Sequence, residues 1–261
     1  MPVTSLIVAT YNWPEALNLC LLSIKNQKVL PAEVIVADDG SGQDTKLLIE
    51  KFQRNFPVPL IHVWHEDSGF RKSIILNTAI KKAKGTYIIQ VDGDVILDKN
   101  FIKDHQSLAE TDVFVRGTRA HIAQKMLPEV YSTEKISFNF LSKGIINRFN
   151  AIRLPLLVFL FEKKIKDPSR VRGSNLAYWK SDFILINGYN NELTGWGHED
   201  EELAARFINN EKLKKAIKFK AIQFHLSHGE ASRSNEQTHY EAVKKTIQRK
   251  IKACTNGIAQ L

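Results

Sequence analysis

Short apolar runs alternate with amphipathic stretches through the first hundred residues. Residues 3–9 are continuous, apolar and rich in β-branched side chains, the pattern of a strand covered on both faces. Residues 14–27 place Leu17, Leu21 and Ile24 on one helical face, behind a proline suited to a first helical turn. The same reading predicts strands over 33–37, 60–64 and 86–91 and helices over 43–52 and 73–82, the last closed by Lys84-Gly85. Strands joined by single helices predict an α/β fold with a mostly parallel central sheet, flanked by helices and connected by right-handed crossovers.

Ligands of such sheets bind beyond the carboxyl ends of the strands. Four polar clusters follow predicted strands: Tyr11-Asn12, Asp38-Asp39, residues 66–71 and Asp92-Gly93-Asp94. Together they would line one edge of one sheet. The rest of the chain is less regular. Residues 171–179 and 221–226 read as strands, 181–186 and 199–209 as helices, and 235–253 as a basic C-terminal helix. Residues 132–166 mix apolar and basic side chains and read as a helical insertion.

Composition narrows the class. Of 261 residues, 43% are hydrophobic and 25% charged, which suits a water-soluble chain with a substantial core. Cys20 and Cys254 stand far apart and suggest neither a disulfide framework nor a zinc site. The N-terminus does not read as a signal peptide, and the apolar run 154–161 is far shorter than the roughly 20 residues of a membrane span. A cytoplasmic protein, peripheral to the inner face of the plasma membrane, is the expectation. The net charge of +9 suits nucleic acid, an anionic membrane surface or phosphorylated substrates. No nucleic-acid-binding signature accompanies it, so nucleic acid is not expected as a partner. Residues 144–166 surround their apolar run with Arg148, Arg153, Lys163, Lys164 and Lys166. That pattern fits an interfacial element on anionic lipid or a core helix with solvated ends.

The candidate chemistry is acidic. Two carboxylates one residue apart on a tight turn, Asp92 and Asp94, can share a divalent ion, or one can hold the ion and the other a sugar hydroxyl. Residues 199–202 place four acids at a predicted helix N-terminus, where the helix dipole favours them. Consecutive helical residues fan around the axis, so the four cannot share one cleft, and Glu201 and Glu202 are expected to matter less. His225, at the end of the predicted strand 221–226, and His228, just after it, are candidate metal ligands. His62, His65, His105, His121, His198 and His239 receive no role.

The segments Ser5 to Asn12, Val36 to Ser41 and Asp92-Gly93-Asp94 resemble the family 2 glycosyltransferases of the GT-A fold. The resemblance implies that Thr10, Tyr11, Asn12 and Asp39 bind the nucleoside side of a donor. It gives Asp94 to a divalent metal, Mn2+ or Mg2+, with Gly93 in the turn and Asp92 facing ribose or sugar. Ser68 to Ser73 resemble the family's donor-binding helix start, with Arg71 near the phosphates or the donor sugar. Arg172 to Ala177, Gly188-Tyr189-Asn190 and Gly195 to Asp200 resemble the C-terminal region of β-1,4-galactosyltransferases and chondroitin-type polymerases. That likeness implies Asp200 as general base, Glu199 on a sugar hydroxyl, and Trp196 and Gly197 over the sugars. It also implies a histidine metal ligand at His228, with a second ligand three residues earlier, at His225, where the galactosyltransferases carry methionine.

The expected protein is a single domain over 1–261: a nucleotide-sugar half (1–104), an acceptor and catalytic half (105–234) and a helical extension (235–261). Its expected activity is inverting, metal-dependent transfer of a hexose or N-acetylhexosamine from a UDP-sugar to a saccharide or lipid-linked saccharide, for lipopolysaccharide or capsule. A sugar-phosphate nucleotidyltransferase is the alternative, but Thr10 to Pro14 is not the glycine-rich basic loop that a triphosphate needs. A non-catalytic glycan-binding module is the third reading.

Overall fold

Residues 1–229 and 235–261 are described by a computed structural model. The end of the expected acceptor half, 230–234, lies outside them. The first half follows the hydrophobic pattern closely: β1 (Thr4–Thr10), α1 (Pro14–Lys25), β2 (Glu33–Asp38), α2 (Gln43–Gln53), β3 (Leu60–Trp64), α3 (Lys72–Lys82) and β4 (Tyr87–Asp92). Beyond it come β5 (Val95–Leu97), α4 (Phe101–Leu108), β6 (Val113–Arg116), β7 (Ala120–Ile122), α5 (Leu127–Ser132), β8 (Ile145–Ile146) and β9 (Lys163–Ile165). The chain closes with β10 (Asn175–Trp179), α6 (Lys180–Leu185), α7 (Glu199–Asn209), β11 (Leu213–Ala216), β12 (Gln223–Leu226) and α8 (Glu236–Gln248).

The large sheet has the order β3-β2-β1-β4-β10-β6-β11-β9. β1 to β4 run parallel to one another. Their side chains alternate between two cores, as a two-residue repeat requires. Leu6 and Val8 pack with Leu17, Leu21 and Ile24 of α1 on one face. Ile7 and Ile35 pack with Ile75, Leu76 and Ile80 of α3 on the other. The chain builds outward from β1 to β3, then returns to the far side of β1 for β4. That reversal opens a crevice at the ends of β1 and β4, where Thr10 and Asp92 lie.

The second half departs from the parallel expectation. β10 enters antiparallel between β4 and β6, which makes the sheet mixed. A small second sheet, β5-β12-β7-β8, closes the end of the crevice. In it His225 lies opposite Val95, so the chain after β12 meets the turn before β5. The expected helical insertion, 132–166, holds no α-helix beyond the last residue of α5: it consists of 3-10 turns at Arg148–Ala151 and Pro155–Leu160, the short strands β8 and β9, and loops. β11 was hidden in the sequence because it reads Leu-Lys-Lys-Ala. Its two lysines are buried by pairing, Lys214 with Asp167 at 3.0 Å and Lys215 with Glu110 at 2.8 Å. Among the described residues no helix is long and apolar enough to cross a membrane.

Candidate active site

The ends of β1, β2, β4 and β12 and the N-termini of α3 and α7 converge on one cavity of about 740 Å3. Thr10, Tyr11, Asp39, Asp92, Gly93 and Asp94 line it from the first half of the chain. Trp196, Gly197, Glu199, Asp200, His225 and His228 line it from the second. Two expected donor residues are directed elsewhere. Asn12 spends its side-chain oxygen on the Gly42 N–H at 2.8 Å and braces the loop before α2. Arg71 sends its guanidinium to the Glu66 carbonyl, and only its backbone N–H serves the site, donating to Asp39 Oδ2 at 2.9 Å. The next residue, Lys72, does line the cavity, and its Nζ lies 2.7 Å from Asp92 Oδ1.

The adjacent Asp38 and Asp39 divide their work. Asp38 is fully buried and structural, accepting from the Ser41 N–H at 2.8 Å and meeting His62 Nε2 at 2.8 Å. Asp39 reaches the cavity and is steadied by His65 Nε2 at 2.7 Å. Burial pushes its carboxyl upward, against the pull of His65 and the Arg71 N–H. His62 of β3 and His65 just after it thus hold the two carboxylates in place, although sequence reasoning assigned neither a role.

The Asp92-Gly93-Asp94 turn is pressed onto β1. The Gly93 N–H donates to the Ala9 carbonyl at 2.6 Å. A β-carbon there would sit 3.0 Å from Thr10 Oγ1 and 3.1 Å from the Ala9 oxygen, so a larger residue would require the turn or β1 to give by a few tenths of an ångström. Asp94 Oδ2 lies 3.2 Å from His225 Nε2 and 3.1 Å from His228 Nε2. Burial opposes charge on Asp94, but the two imidazoles outweigh it and hold the carboxyl below the usual range. The His228 Nδ1–H is taken by the Gly229 carbonyl, which leaves Nε2 to face the carboxylate.

The donor set fits a divalent ion. One ligand atom from each of Asp94, His225 and His228 lies within 4.8 Å of the others. Asp94 Oδ1 is buried with no hydrogen-bond partner, the mark of an oxygen lacking an electrophile. Both histidines reach the same oxygen, so the geometry does not favour one over the other.

Asp200 is held at both oxygens. Oδ2 accepts from the Gly173 N–H at 2.6 Å, and Oδ1 from the Tyr189 hydroxyl at 2.7 Å. Tyr189 in turn accepts from Gln90 Nε2 at 2.9 Å, and Gln90 Oε1 accepts from the Tyr178 hydroxyl at 3.1 Å. The Tyr189 hydroxyl also lies 3.1 Å from Gln90 Oε1, and its shorter contact, to Asp200, directs the chain of donors toward that carboxylate. A β-carbon on Gly173 would fall 2.7 Å from Asp200 Oδ1 and 2.3 Å from Gln90 Nε2, so only glycine admits the carboxylate. Burial raises the Asp200 pKa, while Lys72, Tyr189 and the Gly173 N–H pull it back. Glu199, capped by the Gly197 N–H at 3.0 Å, is pushed up to about 7 by burial and then by Asp200. The remaining acids of α7 are engaged otherwise: Glu201 with His198 at 2.7 Å, Glu202 with Arg206 at 2.6 Å.

Sequence reasoning gave no role to Lys72, Arg119, His121, Arg172, Gln90 or Tyr189. Gln90 had a visible signal, a polar residue in the middle of an apolar strand. His121 is brought beside His225 by the pairing of β7 with β12, with ring centres 5.1 Å apart, and burial holds its pKa down to about 4.

Comparison with known proteins gives one consistent result. A family model described as glycosyl transferase family 2 matches residues 5–159, and one described as the N-terminal domain of galactosyltransferase matches 156–229. The chain is 28% identical over 237 residues to a hyaluronan synthase of Pasteurella multocida, covering 82% of this chain and 23% of the relative. It is 25% identical over 225 residues to a validoxylamine A glucosyltransferase of Streptomyces hygroscopicus subsp. limoneus, covering 79% of this chain and 48% of that protein. A chondroitin synthase of Escherichia coli is 25% identical over 224 residues, covering 77% of this chain and 32% of the synthase. The chain therefore spans between about a quarter and a half of these relatives. Among solved structures, S. aureus TarS 1-349 in complex with UDP superposes with a TM-score of 0.62 at 17% identity, over 98% of this chain and 68% of that one. GalNAc-T7 with UDP, GalNAc and Mn2+ gives 0.68 at 15% identity, over 94% of this chain and 48% of that one. Both share its fold.

Proposed function

The chain belongs to the family 2 glycosyltransferases, with the GT-A fold, and we propose that it moves a hexose or N-acetylhexosamine from a UDP-sugar to a hydroxyl of a surface glycan or lipid-linked saccharide, inverting the anomeric carbon with the help of Mn2+ or Mg2+. One observation carries this reading: Asp39, the Asp94–His225–His228 cluster and the doubly held Asp200 face a single cavity.

In this reading Thr10, Tyr11 and Asp39 hold the nucleoside at the ends of β1 and β2, and Asn12 braces their loop. Asp94, His225 and His228 hold the divalent ion, which when bound neutralises the diphosphate and eases its departure. Asp92, balanced by Lys72, faces the ribose or the donor sugar. Asp200 takes the proton of the acceptor hydroxyl. The freed oxygen bonds to the anomeric carbon as the bond to the diphosphate breaks, and the electron pair leaves with UDP. Burial keeps Asp200 more basic than an exposed aspartate, which suits a general base. Glu199 and Trp196 with Gly197 orient the sugars at the rim.

Asp200→Asn is expected to lower transfer by about 10^2 to 10^4, measured by UDP release with a panel of UDP-sugars and saccharide acceptors. UDP binding with Mn2+, measured by calorimetry, should persist in that variant and fail in Asp94→Ala. Undiminished transfer by Asp200→Asn would remove the base assignment. Consumption of UTP with a sugar phosphate would replace transfer with nucleotidyl chemistry.

The same enzyme is proposed to work against an anionic membrane surface. Residues 154–161 do not form the core helix that their hydropathy allowed. Val158 is buried, while Leu156 is 86% and Phe159 71% exposed. Nearby in sequence, Phe149 is 81% and Leu141 71% exposed. Apolar exposure on this scale marks an interaction surface.

A further inference from the structure

Two guanidinium groups of the cavity are left unused by the mechanism above. β6 and β10 run antiparallel with Arg116 opposite Leu176, and the Gly117 N–H donates to the Asn175 carbonyl at 2.9 Å. The chain leaving β6 therefore lies beside the chain entering β10. This places Arg119 and Arg172 on the same part of the cavity wall. Arg119 Nη1 donates to Ser174 Oγ at 3.4 Å. Arg116 spends its Nε on the Arg170 carbonyl at 2.9 Å. The arginine ion pairs among the described residues are those of Arg153 and Arg206, so these four arginines have no carboxylate partner there. Burial and then repulsion from Arg172, Arg170 and Arg119 hold Arg116 below the usual guanidinium range, and burial and Arg172 do the same to Arg119 against the pull of Asp92, Asp94 and Asp200. Arg116 and Arg119 are partly withdrawn from water while Arg170 and Arg172 are exposed, and an anion beside them would offset the repulsion of the cluster.

The position of the pair indicates which anion. Gly173, between Arg172 and Ser174, is the residue whose N–H holds Asp200. Arg172 therefore adjoins the base that receives the acceptor, whereas the donor diphosphate would have its cation at the metal centre. Resting on the transferase reading, we propose that Arg119 and Arg172 form an anion subsite beside Asp200, and that the acceptor carries a carboxylate or phosphate close to the hydroxyl it offers. Guanidinium forks bind either group through paired N–H donors, and the fork sets the orientation of the sugar as well as its affinity.

The test is ligand binding to the full chain, read by saturation-transfer NMR with glucuronic acid, glucose 6-phosphate and glucose, with and without UDP and Mg2+. The wild type should bind at least one of the two anionic sugars tenfold or more tightly than glucose. Arg172→Gln and Arg119→Gln should each erase most of that preference, and Arg172→Lys should restore part of it. Calorimetric UDP–Mg2+ affinity should move less than threefold in the same variants. Equal binding of glucose and both anionic sugars by the wild type would overturn the subsite. So would a loss of UDP affinity as large as the loss of anionic-sugar affinity, because the arginines would then serve the donor diphosphate. Failure of every form to bind UDP with metal would instead sink the transferase reading, and the sugar comparison without nucleotide would still decide the subsite.

Discussion

At the scale of single residues, the site depends on how Asp200 and Glu199 share a small volume. Glu199 is 6% exposed and faces Asp200, Lys72 and Asp92. Its carboxyl, raised to about 7 from an ordinary 4.5, still binds a proton in the folded chain where the unfolded chain has lost it. Between those pH values the native state holds more protons, so stability falls as pH rises through the window. At 1.36 kcal/mol per pH unit, the effect is on the order of 3 kcal/mol. Glu199→Gln should flatten the dependence of Tm on pH, leaving Tm at pH 5 nearly unchanged and raising it at pH 8. An unaltered slope would mean that Glu199 is ionised throughout. Tyr189 makes a different prediction. Its hydroxyl stabilises the charged form of Asp200, so Tyr189→Phe should lower kcat by about 10- to 100-fold, the value of a hydrogen bond to a charged group. It should also move the acidic limb of the pH–rate profile upward, because Asp200 loses a donor that lowers its pKa. A lower kcat with an unmoved limb would assign Tyr189 a packing role alone.

At the scale of elements, the base is aimed by the anchoring of α7. Arg206 is fully buried, pairs with both oxygens of Glu202 one turn earlier, and donates to the carbonyls of Ile186 and Gly188. The Gly188 carbonyl directly precedes Tyr189 and that of Ile186 lies two residues further back, so a single guanidinium locks the helix bearing Asp200 to the loop bearing its hydroxyl donor. Arg206→Met leaves Glu202 buried and unpaired, a loss of about 3–5 kcal/mol, or roughly 10 °C in Tm for a chain of this size. The double variant Glu202→Leu with Arg206→Met should regain much of that stability, as measured by thermal unfolding. No recovery in the double variant would show that the carbonyl contacts, rather than the ion pair, carry the anchor. This arrangement was not legible beforehand, because Glu202 and Arg206 look like an ordinary exposed pair at helical spacing. The elements of the first half were legible because β1, β2 and β4 are covered on both faces and read as nearly continuous apolar runs. β11 and the antiparallel entry of β10 were not. Buried lysines break the hydropathy signal of the one, and strand direction leaves no mark in the sequence of the other. The clusters at the strand ends could be placed on one edge from topology alone. Arg119, His121 and Lys72 could not, because their approach to the cavity depends on the pairing of β6 with β10, on that of β7 with β12, and on the turn of α3.

At the scale of the molecule, the excess positive charge meets the exposed apolar segment. Lys164 and Lys166, which flank that segment in sequence, are paired with Glu110 and Glu211. Arg153 is likewise taken by Asp98 and Asp104. Lys143, Arg148 and Lys163 are exposed and sit in the same stretch as Leu141, Phe149, Leu156 and Phe159. A cation near an anionic bilayer contributes about 1 kcal/mol. A large apolar side chain withdrawn fully from water contributes about 1.5–3 kcal/mol. Charge and apolar contact are thus comparable here, and each can be removed separately. Flotation with vesicles of phosphatidylglycerol and phosphatidylcholine should recover the chain at low salt, and vesicles of phosphatidylcholine alone should recover much less. Leu156→Ser with Phe159→Ser should reduce partitioning roughly a hundredfold, as the loss of about 3 kcal/mol requires. Lys143→Gln with Arg148→Gln should produce its deficit on anionic vesicles only. Equal recovery on neutral and anionic vesicles would remove the electrostatic half of the proposal. Self-association in sedimentation, abolished by the same serine substitutions, would assign the apolar segment to a second copy of the chain instead of to lipid.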